Sequence, residues 1–308
     1  MHGSGPRCRE GSGRGCWGAA MAKENSIVHS SDDSGSGLAR PVVRDIRFRD
    51  LLDALAKGFD DFKAVPTHLI FLILIYPIVM LILSRVAAGQ EMLPLVFPLF
   101  AGYTLVGPLI AIGMYELSRR REMGLDTSRL HLFDVLKSKS LGAIVALGLV
   151  LTVVYFAWLM AALALYKMTF GGGLPDSIAT LFMQLITFDL SGTGPQSIGQ
   201  FAVEIITTRA GWTLALVGSG IGLVFAIVVL SLSAVSFPML LDRQVGAWTA
   251  AQTSIRVVMA NPMSMGMWGV IVAVALAVGS LPLFVGLAIV LPVLGHATWH
   301  LYRTVVEH

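Results

Sequence analysis

The stretch VVMANPMSMGMWGVIVAVALAVGSLPLFVGLAIVLPVLGHATWHLY, residues 257–302, contains no Asp, Glu, Lys or Arg. As one helix its 46 residues would extend roughly 69 Å. The hydrocarbon core of a bilayer is about 30 Å thick. The stretch must fold back on itself, and Gly279-Ser280-Leu281-Pro282 is the natural turn, because Gly and Pro punctuate helices.

Four further charge-free windows, 64–84, 92–115, 140–166 and 210–241, lie upstream. Each exceeds the ~18 apolar residues that a membrane-crossing helix requires. The spacing predicts an all-α polytopic membrane protein with six spans, near 67–88, 92–117, 141–165, 212–241, 264–280 and 282–301. Composition agrees: 55% of the 308 residues are hydrophobic and 13% are charged, where soluble domains carry about 25% charged residues.

Positive charge sets the orientation. Segment 40–63 carries Arg40, Arg44, Arg47, Arg49, Lys57 and Lys63, and segment 118–140 carries Arg119, Arg120, Arg121, Arg129, Lys137 and Lys139. Arg243, Arg256 and Arg303 fall on the same side of a six-span chain, while the opposite connections hold Arg85, Lys167 and Arg209. Both termini are therefore expected in the cytoplasm of a bacterial inner-membrane protein. Residues 40–308 form the membrane domain on this reading.

Residues 1–39 are rich in Gly, Ser and charge and hold both cysteines, Cys8 and Cys16. Such a composition buries too little apolar surface to fold, so the leader is expected to be disordered. Met21, opening MAKENSIVHS, is a second plausible start; residues 1–20 are either an over-extended gene start or a flexible tail. In the connection 166–211, segments 176–188 and 195–208 each carry a helical apolar stripe too short to span. They are expected to cap the outer surface, with a re-entrant pair as the alternative.

A form repeats along the chain. Phe48, Leu51, Leu52, Leu55, Phe59 and Phe62 make the apolar stripe of an interfacial helix that precedes the first span, with Asp50, Asp53, Lys57, Asp60 and Asp61 between them. Trp248, Ala251, Ile255, Val258 and Met259 repeat it before span five, and Leu130, Phe133 and Leu136 give a weaker version before span three. Spans two, four and six each leave through a proline: Pro108, Pro238 and Pro292. A helical proline frees the carbonyl four residues earlier, here those of Thr104, Ala234 and Ala288. In lipid such a carbonyl must face protein or water. A pseudo-threefold arrangement follows, each unit an interfacial helix plus a hairpin of spans. Thr104, Pro108, Pro238, Pro292 and His296 are the candidates for an interior polar site; packing irregularity repaired by hydroxyls is the competing explanation. Gly218, Gly220 and Gly222 are read as a face for close helix packing.

His296 and His300 stand one helical turn apart, a spacing that can share a metal. The other histidines, His2, His29, His68, His131 and His308, are scattered, and the predicted spans hold no Cys and no carboxylate except Glu116, at the end of span two. No metal ligand and no cofactor are expected. Trp299, His300, Tyr302 and Arg303 are residue types of the membrane interface and are expected to anchor the last helix there, with His296 bonded inside the bundle. No nucleotide-binding loop, HExxH or hydrolase elbow occurs, so an enzyme is not expected. The partners expected are the bilayer, with anionic lipid at the cytoplasmic face, and no nucleic acid; protein partners are left open. A facilitative small-solute pathway between kinked helices is the preferred function, and a membrane scaffold or assembly factor the alternative.

SFPMLLDR (236–243), TSIRVVMANPMSMGMWG (253–269) and LPVLGHATWHLYR (291–303) together resemble a bacterial family of predicted integral membrane proteins, domain-of-unknown-function family number 2189. RDIRFRDLLDALAKGFDDF, GPLIAIGMYELSRRREMG and TTRAGWTLALVGSGIGLVFA are similar to it as well. The resemblance covers about residues 43–306 and implies six spans in an inner membrane of alphaproteobacterial type. Some members carry the label of a cytochrome oxidase subunit, which the histidine count opposes. The resemblance supplies no functional residues.

Overall fold

A computed structural model of the protein describes residues 42–65, 111–170, 177–187, 198–282 and 285–306. The leader 1–39, the first predicted span, most of the second, Thr104 and Pro108 lie outside the described residues. Those described form α1 (Phe48–Ala64), α2 (Ile112–Glu122), a 3-10 helix (Arg129–Lys137), α3 (Leu141–Phe170), α4 (Ile178–Thr187), α5 (Ile198–Thr207), α6 (Arg209–Ser233), α7 (Ser236–Asp242), α8 (Ala247–Ala260), α9 (Pro262–Ser280) and α10 (Leu287–Val305).

Among the described residues, three helical stretches are long and apolar enough to cross a membrane: Leu141–Phe170, Arg209–Asp242 and Pro262–Ser280. Their outer faces expose residues such as Leu149, Val153, Leu216, Leu223, Val270 and Val274. A contiguous apolar surface of this extent suits lipid rather than water. On α3 the buried residues Ile144, Leu147, Leu151, Trp158 and Tyr166 recur at helical spacing, and this stripe packs on α6. Gly218 and Gly222 of α6 sit against Leu165 and Trp158 in ordinary contact.

α10, read from sequence as a span over 282–301, is offset and does not reach the apolarity of the other three. It starts at Leu287 and runs to Val305, and His296, His300 and Arg303 interrupt its apolar run. Its main neighbour is α1. The turn before it is set by two glycines: a Cβ on Gly286 would lie 2.7 Å from the Gly279 carbonyl oxygen.

The amphipathic helices bury a different face from the one their large residues suggest. On α1 the protein-facing residues are Leu51, Ala54, Gly58 and Asp61, while Phe48, Leu52 and Phe59 look outward. On α8 Ala250, Thr253, Ser254 and Val257 are buried, while Trp248 and Met259 are exposed. Small residues allow close approach of helices, and the large ones remain for lipid. The third predicted interfacial helix is corrected to a 3-10 helix with Phe133 and Leu136 exposed.

Span four is present as Arg209–Asp242, with an interruption near its end. The helix breaks at Ala234–Val235, so Pro238 stands in the first turn of the short α7 and not inside a long helix. A first-turn proline disturbs little, because its N–H would have no helical partner. Hydroxyls mend the break: Ser254 accepts from the Val235 N–H at 3.2 Å, and Ser236 reaches the Leu232 and Ala250 carbonyls. Pro292 does lie inside α10, and both prolines are buried.

The segment before α1 is tied to both ends of the C-terminal hairpin. Val43 pairs with Val306, and the Arg44 N–H donates to the Val305 carbonyl at 2.9 Å. Asn261, ahead of α9, accepts from the Ile46 N–H at 2.8 Å and donates to the Arg44 carbonyl at 3.2 Å.

Candidate functional site

α1 crosses α10 closely because Gly58 has no side chain: a Cβ there would lie 2.5 Å from the Ala297 backbone nitrogen. One turn further along α1, this approach carries Asp61 into the interior, where it is 6% exposed. α2 packs on the same helix pair, with Gly295 of α10 set against Met114.

Four side chains, two from α2 and two from α10, converge on Asp61. Ser118 Oγ lies 2.6 Å from Asp61 Oδ2. His300 Nε2 lies 2.8 Å from the same oxygen. Arg121 Nη1 lies 2.5 Å from Oδ1. His296 Nδ1 lies 2.7 Å from Ser118 Oγ and 4.0 Å from Asp61 Oδ2. Burial pushes the Asp61 carboxyl up, but the hydrogen bonds from His300 and Ser118 and the charge of His300 outweigh it. The group is held below the ordinary carboxylate range and is ionised at neutral pH.

Ionisation fixes the proton positions. An ionised carboxylate only accepts, so the single hydroxyl proton of Ser118 points to Asp61. Ser118 Oγ then accepts from His296, which carries its proton on Nδ1. His296 Nε2 is left with a lone pair. It is buried and has no hydrogen-bond partner within ordinary geometry. The order is carboxylate, hydroxyl, imidazole. In a hydrolytic triad the imidazole stands between the other two.

Around this core the helix ends are clamped by charge. Trp299 Nε1 donates to Glu122 at 3.1 Å, and Arg303 Nε donates to Glu122 at 3.0 Å. Tyr302 donates to Asp242 at 2.6 Å. Trp299 and Tyr302, expected as anchors at lipid headgroup level, are instead fully buried in protein. Their polar atoms find carboxylates on α2 and α7, which removes the need for a wet interface. Arg303 is shared between Glu122 and Asp242, and His300 belongs to the buried cluster.

His296 lies in the interior as expected, and Thr104 and Pro108 of the same candidate set lie outside the described residues. Pro238 is not part of the cluster, and Asp61, Ser118 and Arg121 were missed. Asp61 sits in phase with Leu51, Ala54 and Gly58. The small pair Ala54 and Gly58 was the available signal for the protein-facing side.

Beside α2, His131 contacts Asp126 at 2.9 Å and also Asp134. Hydrogen bonds to Asp134 and Asp126 raise its pKa. A raised imidazole stabilises the fold fully below its unfolded value of about 6.5 and loses that effect as pH climbs through the folded value. Amide exchange across 126–137, corrected for intrinsic rate, is therefore expected to be faster at alkaline pH than at pH 6. His131→Gln is expected to exchange alike at both.

Lipid-facing helices around a buried ionic cluster define a polytopic helical membrane protein. Residues 96–191 and 181–242 match the family described as predicted integral membrane protein (DUF2189), the family that the sequence resembles. The matched residues include α2, α3, α6 and α7 and stop before α8–α10. No curated protein and no solved structure matches the chain.

Proposed function

We propose that the protein is a six-span protein of the bacterial inner membrane, with both termini cytoplasmic, that provides a facilitative pathway for a small solute. The observation that carries this reading is the buried Asp61–Ser118–His296–His300 cluster. Ionisable groups are costly within a membrane bundle and mark ion and substrate routes. The break between α6 and α7 adds support, since transporters build sites from interrupted helices and repeated units. The cluster takes the place first given to a ring of three proline kinks. Its order of groups suits binding and not hydrolysis, and we assign no catalysis to it.

A specific observation also favours the scaffold reading. α1 and α8 turn Phe48, Leu52, Phe59, Trp248 and Met259 outward, and Lys63 lies 4.5 Å above the Phe59 ring. Outward aromatic and apolar side chains of this kind suit helices lying on a lipid surface. Purified protein in liposomes, screened with radiolabelled ions, amino acids and small metabolites, separates the two. Flux above protein-free vesicles for at least one solute is expected. No flux for any of them, together with retention on anionic vesicles or a stoichiometric protein partner, would replace the pathway with the scaffold.

A further inference from the structure

Hydrogen bonds run without a gap from His300 to Asp61, to Ser118 and to Nδ1 of His296. Two facts make this more than a static network. The imidazole has two nitrogens, and only one is engaged. The free one, Nε2, is fully buried, and His296 lies one helical turn before His300 in the interior of α10. At the other end His300 is 16% exposed, and Arg121 is 41% exposed.

We infer that Asp61, Ser118 and His296 form a proton relay between the bundle interior and the cytoplasmic surface. It deepens the pathway reading and rests on it for access to Nε2.

The step balances with protons alone. A proton arrives at the His296 Nε2 lone pair. The Nδ1 proton moves to Ser118 Oγ while the Ser118 hydroxyl proton moves to Asp61 Oδ2. Asp61, whose side chain is 8% exposed, releases a proton to water beside His300, whose Nε2 keeps the proton it donates. One proton has entered, one has left, and no oxidant or co-reactant takes part. His296 now carries its proton on Nε2, and rotation of the ring and of the hydroxyl restores the starting arrangement. The charged and titratable groups facing His296 are Asp61 from α1, Arg121 from α2 and His300 from α10. Arg121 pairs with the Asp61 oxygen that the relay does not use.

Ser118 is the place to test this, because threonine and valine have the same shape and differ in the hydroxyl. The full chain is reconstituted into phosphatidylcholine–phosphatidylglycerol vesicles with a trapped pH dye. A pH gradient is imposed under a potassium–valinomycin clamp. The wild type and Ser118→Thr are expected to carry protons faster than protein-free vesicles. Ser118→Val is expected to lose about tenfold or more at a temperature where it is still folded by its own melting curve, which falls below that of Ser118→Thr. Equal rates in the two variants would overturn the relay, and so would a wild type no faster than empty vesicles. Solute flux in the same vesicles separates the two claims. Solute movement without proton movement removes the relay and leaves the pathway. Proton movement without any solute removes the solute pathway and leaves the relay.

Discussion

Asp61→Ala is expected to lower the stability of the purified protein by about 3 kcal/mol. Arg121 contributes little to that figure. It is 41% exposed, and water takes over its unpaired charge. The cost arises at Ser118 and His296, which are 1% and 0% exposed. Without the carboxylate, Ser118 must turn its only proton toward His296, and the ring must change tautomer, which leaves a buried N–H facing no acceptor. His300 loses its partner as well. Asp61→Asn keeps the shape and one accepting oxygen, and is expected to lose about half as much. Thermal unfolding in detergent measures both. The wild type has an acidic signature too. A carboxylate whose folded pKa is depressed contributes above its unfolded value, about 3.9, and loses that contribution as pH falls through the folded value. Asp61→Asn is expected to lack this acid-dependent loss. A melting temperature for Asp61→Ala equal to that of the wild type would show that the three helices meet without help from the cluster.

Gly58→Val is expected to separate α1 from α10. The obstruction is backbone: a Cβ would lie 2.5 Å from the Ala297 nitrogen and 2.8 Å from its Cα. No rotamer change relieves such a contact. Removing a mid-helix glycine normally stabilises a helix by up to about 1 kcal/mol. Overpacking a tight contact costs about 1–3 kcal/mol, and here it also pulls Asp61 away from Ser118 and His300. The clash therefore outweighs the propensity gain, and a net loss of about 2 kcal/mol or more is expected. Gly220→Ala is the matched control, because nothing stands within 4 Å of a Cβ there. It is expected to melt at or slightly above the wild-type temperature. A stable Gly58→Val would mean that α1 has room to move along α10.

The helices that face lipid were plain in the sequence. Leu141–Phe170 and Pro262–Ser280 lie close to the charge-free windows that predicted them, because bilayer thickness and an absence of charge act on every residue of such a stretch. The buried cluster was hidden for a different reason. Asp61 falls between Phe59 and Phe62, and hydropathy alone puts a carboxylate on the wet side of an amphipathic helix. The side that packs on protein is decided by how closely two backbones approach. That depends on Gly58 meeting Ala297, two residues 239 positions apart in the chain. Trp299 and Tyr302 misled for a related reason. Both side chains suit a headgroup region, yet either is equally content inside protein when a carboxylate takes its proton, as Glu122 and Asp242 do. The break after α6 was marked by Pro238, but the hydroxyls that mend it are contributed by Ser254 and Ser236, and only the folded arrangement joins them.

The seat of α1 is furnished by α10, about 220 residues later in the chain. At ribosomal speeds of 5–20 residues per second, that is a wait of roughly 10–45 s. During it the first helix is orphaned, with a carboxylate and two small residues on the side meant for a partner still unmade. Its outward phenylalanines give it a provisional berth on the membrane surface until the last helix emerges. α1 therefore docks only after α10 is made, and a chain cut short before Leu287 would leave α1 moored to lipid with nothing to dock on.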